Sequence, residues 1–597
     1  MVDAEAALSR WEEIAGSLHW QRPWDITLSR ARPGRWFVGG ELNVAQNCLD
    51  RHLPERADAI ALHWEGEPGD RLSLTYRDLH DRTTAFARGL EALGVTAGDR
   101  VALHLGAVPE LAVAMLACVR LGAVFSTLAS ALPAEALAER LQRFRARVLV
   151  TQDGAWRHGT VVPLKARADE ALAASGTVEH VVVVRRTGID VHWYESDQWF
   201  TETNAAGVEG GPPRAFASEH PMLVFYAPRP QGLRAVVHGS AGLLAAATAV
   251  HRALAPDPDD VLWCAWEAAW VAGTTQGLLG PLACGGTAVL YEGMLDTPTR
   301  SRTWEIIDRY QVTSVATTPT VVEKLRQWSA LPATKDQIRS VRRVTTAAEI
   351  LGSSDRDWLH QMAESVGATV HDGWGQLELG GVVSLTPKVA TSPPDLGFDV
   401  VHPDGSPVLA GEVGELVLQH PWAGTFIAVE EGDGQQAEEP DYWSGPADSQ
   451  LFHTRDRARR EPDGTITVLG RIDPLVKVSG QLVSTQAIID LLCEHPSVRD
   501  AEVLQVPGPD GGRLLVAWLV REVGSVSDHD LAVDLRADLH EMLGGLSVPP
   551  VMAFVERFPP ELSREDRRRA LLAFGAQQSI RVFNIGADDL RKLAGTS

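Results

Sequence analysis

Over residues 76–151 the chain switches repeatedly between two hydrophobic periods, and this alternation limits the fold more than any single motif does. Residues 76–93 (YRDLHDRTTAFARGLEAL) place apolar side chains at helical spacing, with Gly94 where a C-cap is needed. Residues 99–105 (DRVALHL) read as a short strand, residues 109–121 as a helix stopped by Gly122, and residues 147–151 as a strand again. Residues 181–184 and 287–291 continue the series. Strands separated by helices pair in parallel and need cover on both faces, so an α/β fold on a largely parallel sheet is expected.

At 597 residues the chain is too long for one core, so two or more domains are expected. The character changes after residues 470–474 (GRIDP). Helix-like 485–495, strand-like 501–506 and 514–520, and helix-like 528–543 form a compact α+β unit. The boundary therefore falls near Asp473, giving a large N-terminal domain over 1–472 and a small C-terminal domain over 473–597. Residues 427–448 are polar and turn-rich, a surface excursion, and FPPELSREDRRRALL reads as a solvated charged helix. The formal net charge of -23 disfavours nucleic acid and anionic membranes, whose partners want a basic surface. The N-terminal residues lack the layout of a signal peptide, and no apolar run approaches the ~18 residues of a membrane span, so a cytoplasmic location is expected. Five scattered cysteines without a CxxC pair speak against a cysteine metal site or a disulfide framework. The 18 tryptophans are expected in the core or in pocket walls.

Several strings identify a family. They include WFVGGELNVAQNCLDRHLPE, WEGEPGD, LTYRDL, GVTAGDRVAL, MLACVRLGAV, WCAWEAAWVAG, GPLACGGTAVLYEG, WEIIDRYQVTSVATTPT, DGWGQLELGG, DRARREPDGTITVLGRID and KVSG. Together they resemble AMP-forming acetyl-CoA synthetase and its relatives in the adenylate-forming superfamily, over nearly the whole chain. The resemblance implies a large α/β N-terminal domain joined at a hinge to a small mobile domain. It implies carboxylate activation by ATP with magnesium, giving an acyl-adenylate that CoA then attacks. The implied partners are small molecules, with a protein partner or a second copy of the chain left open.

The resemblance assigns site positions one by one, and many carry altered chemistry. FYAPRPQGLRAVVH, residues 225–238, lies where the family has its phosphate loop, YTSGSTGKPKGVLH, and a strand, a loop and a helix fit residues 221–250. Ala227, Pro228, Arg229, Pro230 and Gln231 replace the small and hydroxylated run, and proline offers no N–H and fixes φ. Arg229 and Arg234 remain as candidate anion holders, with plain surface arginines as the alternative. In DGWGQLELGG, against the family's DTWWQTETGG, Glu378 keeps the magnesium carboxylate, whereas Leu377 replaces the threonine that meets the α-phosphate. Gly375 replaces the tryptophan that closes the acetate pocket, beside Trp374, Trp270 and Val271, so room for a larger acyl group is expected. Asp456 and Arg471 match the ribose anchors, and Glu349 the glutamate beside adenine, with Ala348 and Ile350 around it.

In the small domain, Asp473 matches the hinge residue, and Lys477 and Gly480 fit the turn used in the thioester-forming pose. Leu482 replaces a phosphate-binding arginine. In PPELSRE, residues 559–565, Glu565 falls at the catalytic lysine and is expected to be non-functional, with Arg564 or Arg567 as surrogates after a register shift. Arg157 matches one CoA-phosphate arginine, while Thr160 takes the place of the second and Ala129–Leu132 that of a glycine pair. Because these changes fall together, the expected protein has lost or altered ATP-dependent adenylation. It serves either as a binding or regulatory homologue or in another reaction in the old cleft, against Trp266, Trp270, Trp374 and Glu378. The alternative is a divergent AMP-forming acyl-CoA ligase for a larger acyl group.

Overall fold

The computed structural model describes residues 4–29, 34–204, 213–228, 233–328, 335–349, 351–384, 397–420, 422–431, 435–436, 442–445, 450–473, 475–479, 481–507, 513–522, 527–559, 564–577 and 584–585. The alternating segments become two large sheets. The first runs in the order Asp197–Trp199, His180–Val184, Val148–Gln152, Arg100–His104, Val124–Leu128, Pro221–Pro228, Leu233–Gly239, Ala428–Glu431 and Gln435–Gln436. It is parallel as far as Pro221–Pro228 and antiparallel beyond. The second runs Thr369–Asp372, Arg343–Thr346, Ser314–Thr317, Val261–Cys264, Thr287–Glu292, Ile60–Gly66 and Arg71–Thr75, parallel except for its final hairpin.

Helix Tyr76–Ala92 starts at a capping box, with Thr75 and Asp78 exchanging side-chain and backbone bonds. Helix Pro109–Leu121 ends at Gly122, whose φ of 73° suits a residue without Cβ. This helix and Ser240–Leu254 are apolar nearly all round and share one core with residues of both sheets, such as Leu103, Phe125, Leu262 and Ala316. Trp11 is buried edge-on to Trp36 and Trp422.

Residues 221–250 and 427–448 depart from expectation. Residues 221–250 hold an extra strand, because Leu233–Gly239 pairs with Pro221–Pro228 on one side and with Ala428–Glu431 on the other. Val236 and Val237 are buried there, so their backbone groups need the ladder that a loop would not supply. Residues 427–448, read as a surface excursion, supply the strand that covers this edge, and Tyr442 within them is buried.

The C-terminal region is an α+β unit around a sheet of Val498–Pro507, Arg513–Arg521, Val551–Val555 and Asn584–Ile585. Helices Thr485–Glu494 and Asp528–Leu543 pack on one face, through Ile488, Leu492, Leu531 and Leu535. Helix Arg564–Gln577 packs on the other, burying Ala570 and Leu571 against Trp518. It is therefore more than a solvated charged run. Among the described residues, no helix is long and apolar enough to cross a membrane.

Burial pushes the pKa of three enclosed histidines down, to about 3 for His104 and about 4 for His238 and His251. An unfolded histidine takes up its proton near pH 6.5, so from there down to about 4 the unfolded chain binds more protons. Stability from these rings is therefore full above that window and is lost as pH falls through it. The melting temperature is expected to fall across this window and to fall less steeply in His251→Gln; an equal slope in the variant contradicts this.

Candidate active site

The cleft is built where the second sheet ends. After Thr369–Asp372 the chain turns at Gly373, runs through Trp374–Gln376, makes one tight turn over Leu377–Leu379, and returns as Gly381–Ser384. The reversal depends on Gly380 and Gly381, with φ of 76° and 124°. Gln276, in a π-helical turn over Thr275–Leu279, holds it: its Oε1 accepts from Val382 N at 3.1 Å. Thr275 Oγ1 donates to Gly380 O at 2.9 Å. Neither residue stands out in the sequence, because both act through contacts about a hundred positions away.

This turn docks on strand Leu451–Arg460. Gln376 Nε2 donates to Thr454 O at 2.6 Å, and Trp374 Nε1 donates to Asp456 Oδ2 at 2.7 Å. Asp456 is 2% exposed, and its other oxygen lies 3.5 Å from Arg471 Nη1 on the neighbouring strand. Arg471 donates with Nε and Nη2 to the Asp473 carboxylate, at 2.9 and 2.5 Å. Burial works against the Arg471 charge, but the Asp473 bonds and the Asp456 and Asp473 carboxylates outweigh it and hold its pKa above the ordinary arginine value. Three of the expected residues, Asp456, Arg471 and Asp473, thus form one linked chain with Trp374.

Glu378 is buried next to a second chain. Tyr442 Oη donates to Glu378 Oε1 at 3.1 Å and accepts from Arg234 Nη1 at 2.6 Å. The Arg234 guanidinium also lies over the Tyr442 ring, 5.1 Å from its centre. Burial first, and the Glu378 carboxylate second, push the Tyr442 hydroxyl well above the ordinary tyrosine range, so it stays a donor. Arg234 sits on the Leu233–Gly239 strand opposite Ala227, and not in a loop. Glu378 Oε2 is buried with no partner among the described residues. Such an oxygen suits one bond to a cation, and magnesium takes the rest of its shell from phosphate and water. Among the described residues, no group of three His, Cys, Asp or Glu side chains is placed to hold a metal by itself.

The small region reaches the same place. Hairpin Leu475–Val478 and Gln481–Ser484 carries Lys477, whose Nζ donates to Gly375 O at 3.2 Å. Gln505 Nε2 ties the hairpin to the small region's own sheet by donating to Lys477 O at 2.8 Å. Burial lowers the Lys477 pKa; the carboxylates of Asp456, Glu378 and Glu349 favour its charge, and Arg471 opposes it. Leu482 pairs with Lys477 in this hairpin.

The room expected at Gly375 is not on its Cβ side. A Cβ there would lie 2.1 Å from Gly381 O and 2.5 Å from Val382 Cα, so the returning strand fills the direction a side chain would take. Trp270 stands at the start of helix Val271–Thr274, near-perpendicular to Trp266 at 5.3 Å, and Val271 is fully buried. Glu349 accepts from Thr320 N at 3.1 Å and Thr320 Oγ1 at 2.5 Å. Ala348 beside it keeps φ at 81°, a backbone that favours glycine, so alanine here stores strain of about 1–2 kcal/mol.

The remaining positions have other partners. Arg157 and Thr160 are exposed on hairpin Ala155–Arg157 and Thr160–Val162, where Thr160 Oγ1 donates to Arg157 O at 2.8 Å. The hairpin tip is held by the Glu67 carboxylate, which accepts from Gly159 N at 2.6 Å and His158 N at 3.2 Å. His238 is buried with both ring nitrogens against carbonyls, Leu377 O at 2.9 Å and Gly424 O at 3.1 Å, and is a packing group. Arg567 pairs with Asp500 at 3.3 Å and lies over the Phe558 ring. Arg229, Gly480 and the side chains of Arg564 and Glu565 lie outside the described residues.

Comparisons with known proteins agree with this architecture. Residues 49–425 match the family described as AMP-binding enzyme, and residues 9–48 match the acetyl-coenzyme A synthetase N-terminus. The acetyl-coenzyme A synthetase of Streptomyces coelicolor is 36% identical over 581 residues, covering 94% of this chain and 88% of that protein. Its counterpart in Mycobacterium tuberculosis is 36% identical over 593 residues, covering 95% and 91%. That of Rubrobacter xylanophilus is 34% identical over 595 residues, covering 97% and 90%. The chain therefore belongs to the AMP-binding enzyme family, as an acetyl-CoA synthetase-like member of the adenylate-forming enzymes.

Proposed function

We propose that this acetyl-CoA synthetase-like protein has lost or strongly reduced ATP-driven acyl adenylation, and that its cleft holds a nucleoside monophosphate or a related small molecule. The reading rests chiefly on the Arg234–Tyr442–Glu378 chain. The cation at the phosphate-loop position and the carboxylate at the magnesium position are engaged with each other through a phenol. Hairpin pairing of Ala227 with Arg234 and Pro228 with Leu233 supports it, since backbone N–H groups used in a ladder are not free to wrap phosphate. The nucleoside positions keep their residue types, Asp456, Arg471 and Glu349. Magnesium would bind through Glu378 only together with phosphates, and the phosphate grip is the part that has changed. For CoA, Arg157 is the remaining phosphate donor of the expected pair.

A second reading keeps a slow ligase, and Lys477 favours it. From the pose seen here the small region brings a cation to Gly375 O, where a carboxylate or phosphate of a bound ligand would meet it. In that role Lys477 would neutralise the anion that Glu565 cannot. The hinge at Asp473, and a small domain that moves about it, belong to this reading as well.

Carboxylate-dependent exchange of pyrophosphate into ATP is expected to run at least ~10²–10³ below that of an active relative, the scale of losing one preorganised donor. Exchange at a relative's rate overturns the first reading. Residual exchange that Lys477→Met abolishes establishes the second. AMP binding on the alkaline side is expected to take up protons, because burial lowers the Lys477 pKa and an adjacent phosphate restores its charge. Calorimetry in two buffers of different ionisation enthalpy reads this, and the uptake should vanish in Lys477→Met; proton release on binding contradicts it.

A further inference from the structure

A ring of polar contacts closes the junction between the two regions, and it includes both residues at the ribose positions. Strand Ile466–Arg471 ends the large region, and the hairpin carrying Lys477 opens the small one at Leu475. Asp473 lies between them. From its carboxylate the ring runs through the Arg471 fork to Asp456, and through the Trp374 indole to the strand of Gly375. There Gly375 O meets Lys477 Nζ at 3.2 Å, and the chain from Lys477 back to Asp473 completes the ring. Arg471 is the shared member. Its side chain is 8% exposed, and Nε and Nη2 are both spent on Asp473. Nη1 donates to Thr454 O at 3.2 Å and lies 3.5 Å from Asp456 Oδ1, long for a hydrogen bond.

A donor and a carboxylate oxygen thus sit side by side without a full bond between them. Two neighbouring hydroxyls satisfy such a pair, one donating to the carboxylate and the other accepting from the guanidinium. The Asp473 fork aims that donor, because a planar guanidinium held along one edge has its other edge fixed as well. Released from the fork, a long arginine side chain regains its rotamers and the aim is lost. We propose that Asp473 is a positioning residue for Arg471, so that a vicinal diol bound between Asp456 and Arg471 and the closed junction stabilise each other. The proposal rests on the reading of the cleft as a nucleoside monophosphate site, and it names the sugar hydroxyls as the part of the ligand that the junction senses. The coupling is reciprocal: what the clasp adds to diol affinity, the diol adds to the clasp. The small region's hairpin follows, since Lys477 stands close behind Asp473 and its carbonyl accepts from Gln505 Nε2 of the small region's own sheet at 2.8 Å.

Hydrogen–deuterium exchange and calorimetry on the full chain test this with AMP and with 2′,3′-dideoxy-AMP. Saturating AMP should slow exchange over Leu475–Val478 and Gln481–Ser484 by roughly tenfold, the scale of one charge-assisted hydrogen bond. Dideoxy-AMP at equal occupancy should leave these amides unchanged. Asp473→Asn should speed the same amides before any nucleotide is added, weaken AMP by roughly tenfold and abolish the AMP effect, while Asp473→Glu keeps part of it. A merely structural Asp473 would not make the hairpin sensitive to the hydroxyls. Equal slowing by dideoxy-AMP, or undiminished AMP affinity in Asp473→Asn, overturns the proposal. An absence of AMP binding to the unaltered chain overturns the nucleotide reading of the cleft instead, and exchange in nucleotide-free Asp473→Asn then decides by itself whether the clasp holds the junction, with unchanged exchange counting against it.

Discussion

A carboxylate buried in a cleft has to be compensated, and here the protein's own side chains do much of it. Stripping water from an ion costs several kcal/mol even after relaxation, a large share of the ~5–15 kcal/mol that holds a typical domain folded. Glu378 meets this with Tyr442, which is itself steadied by Arg234. Asp456 meets it with Trp374 and Arg471, and Asp473 with the Arg471 fork. These pairings fix where the strands around the cleft can lie. Arg234 reaches Tyr442 because the chain between Pro221 and Gly239 is a hairpin and not an open loop, and the hairpin is held by Ala428–Glu431 at its side.

The same reasoning underlies the proposal that the cleft favours one half of a nucleotide. Asp456 and Arg471, at the positions expected for ribose, sit on paired strands. At the phosphate position the polar groups are turned toward each other, and Leu377 and Leu482 offer nothing to an anion. Lys477 is the exception, a cation brought by the small region, and burial makes its charge sensitive to what lies beside it. The positions where this chain departs from the family motifs thus cluster on the polyphosphate and acyl-activation side.

Much of the fold was legible in the sequence, since alternating periods and glycine stops are local signals. Residues 76–93, 109–121 and 528–543 behave as helices for that reason. The site positions came from motif resemblance, and Asp456, Arg471, Glu378, Trp374 and Lys477 do meet around one cleft. What escaped was decided at long range. Tyr442 lies 208 residues from Arg234 and 64 from Glu378, in a stretch whose polar composition pointed to the surface. Strand Leu233–Gly239 was hidden because a loop was expected from the family alignment, although Val236 and Val237 are β-formers. Gly375 misled in the opposite way: losing an indole suggested space, but the backbone of Gly381 and Val382 occupies it.

The central claim is that the cleft grips a nucleoside and one phosphate and gains little from the β- and γ-phosphates. Comparing the dissociation constants of AMP and of ATP with magnesium, on the full chain at one ionic strength, tests it most directly. AMP binding as tightly as ATP, with both weakened by Asp456→Ala, is the result predicted. ATP binding tenfold or more tightly than AMP, about 1.4 kcal/mol of added phosphate contact, would contradict it.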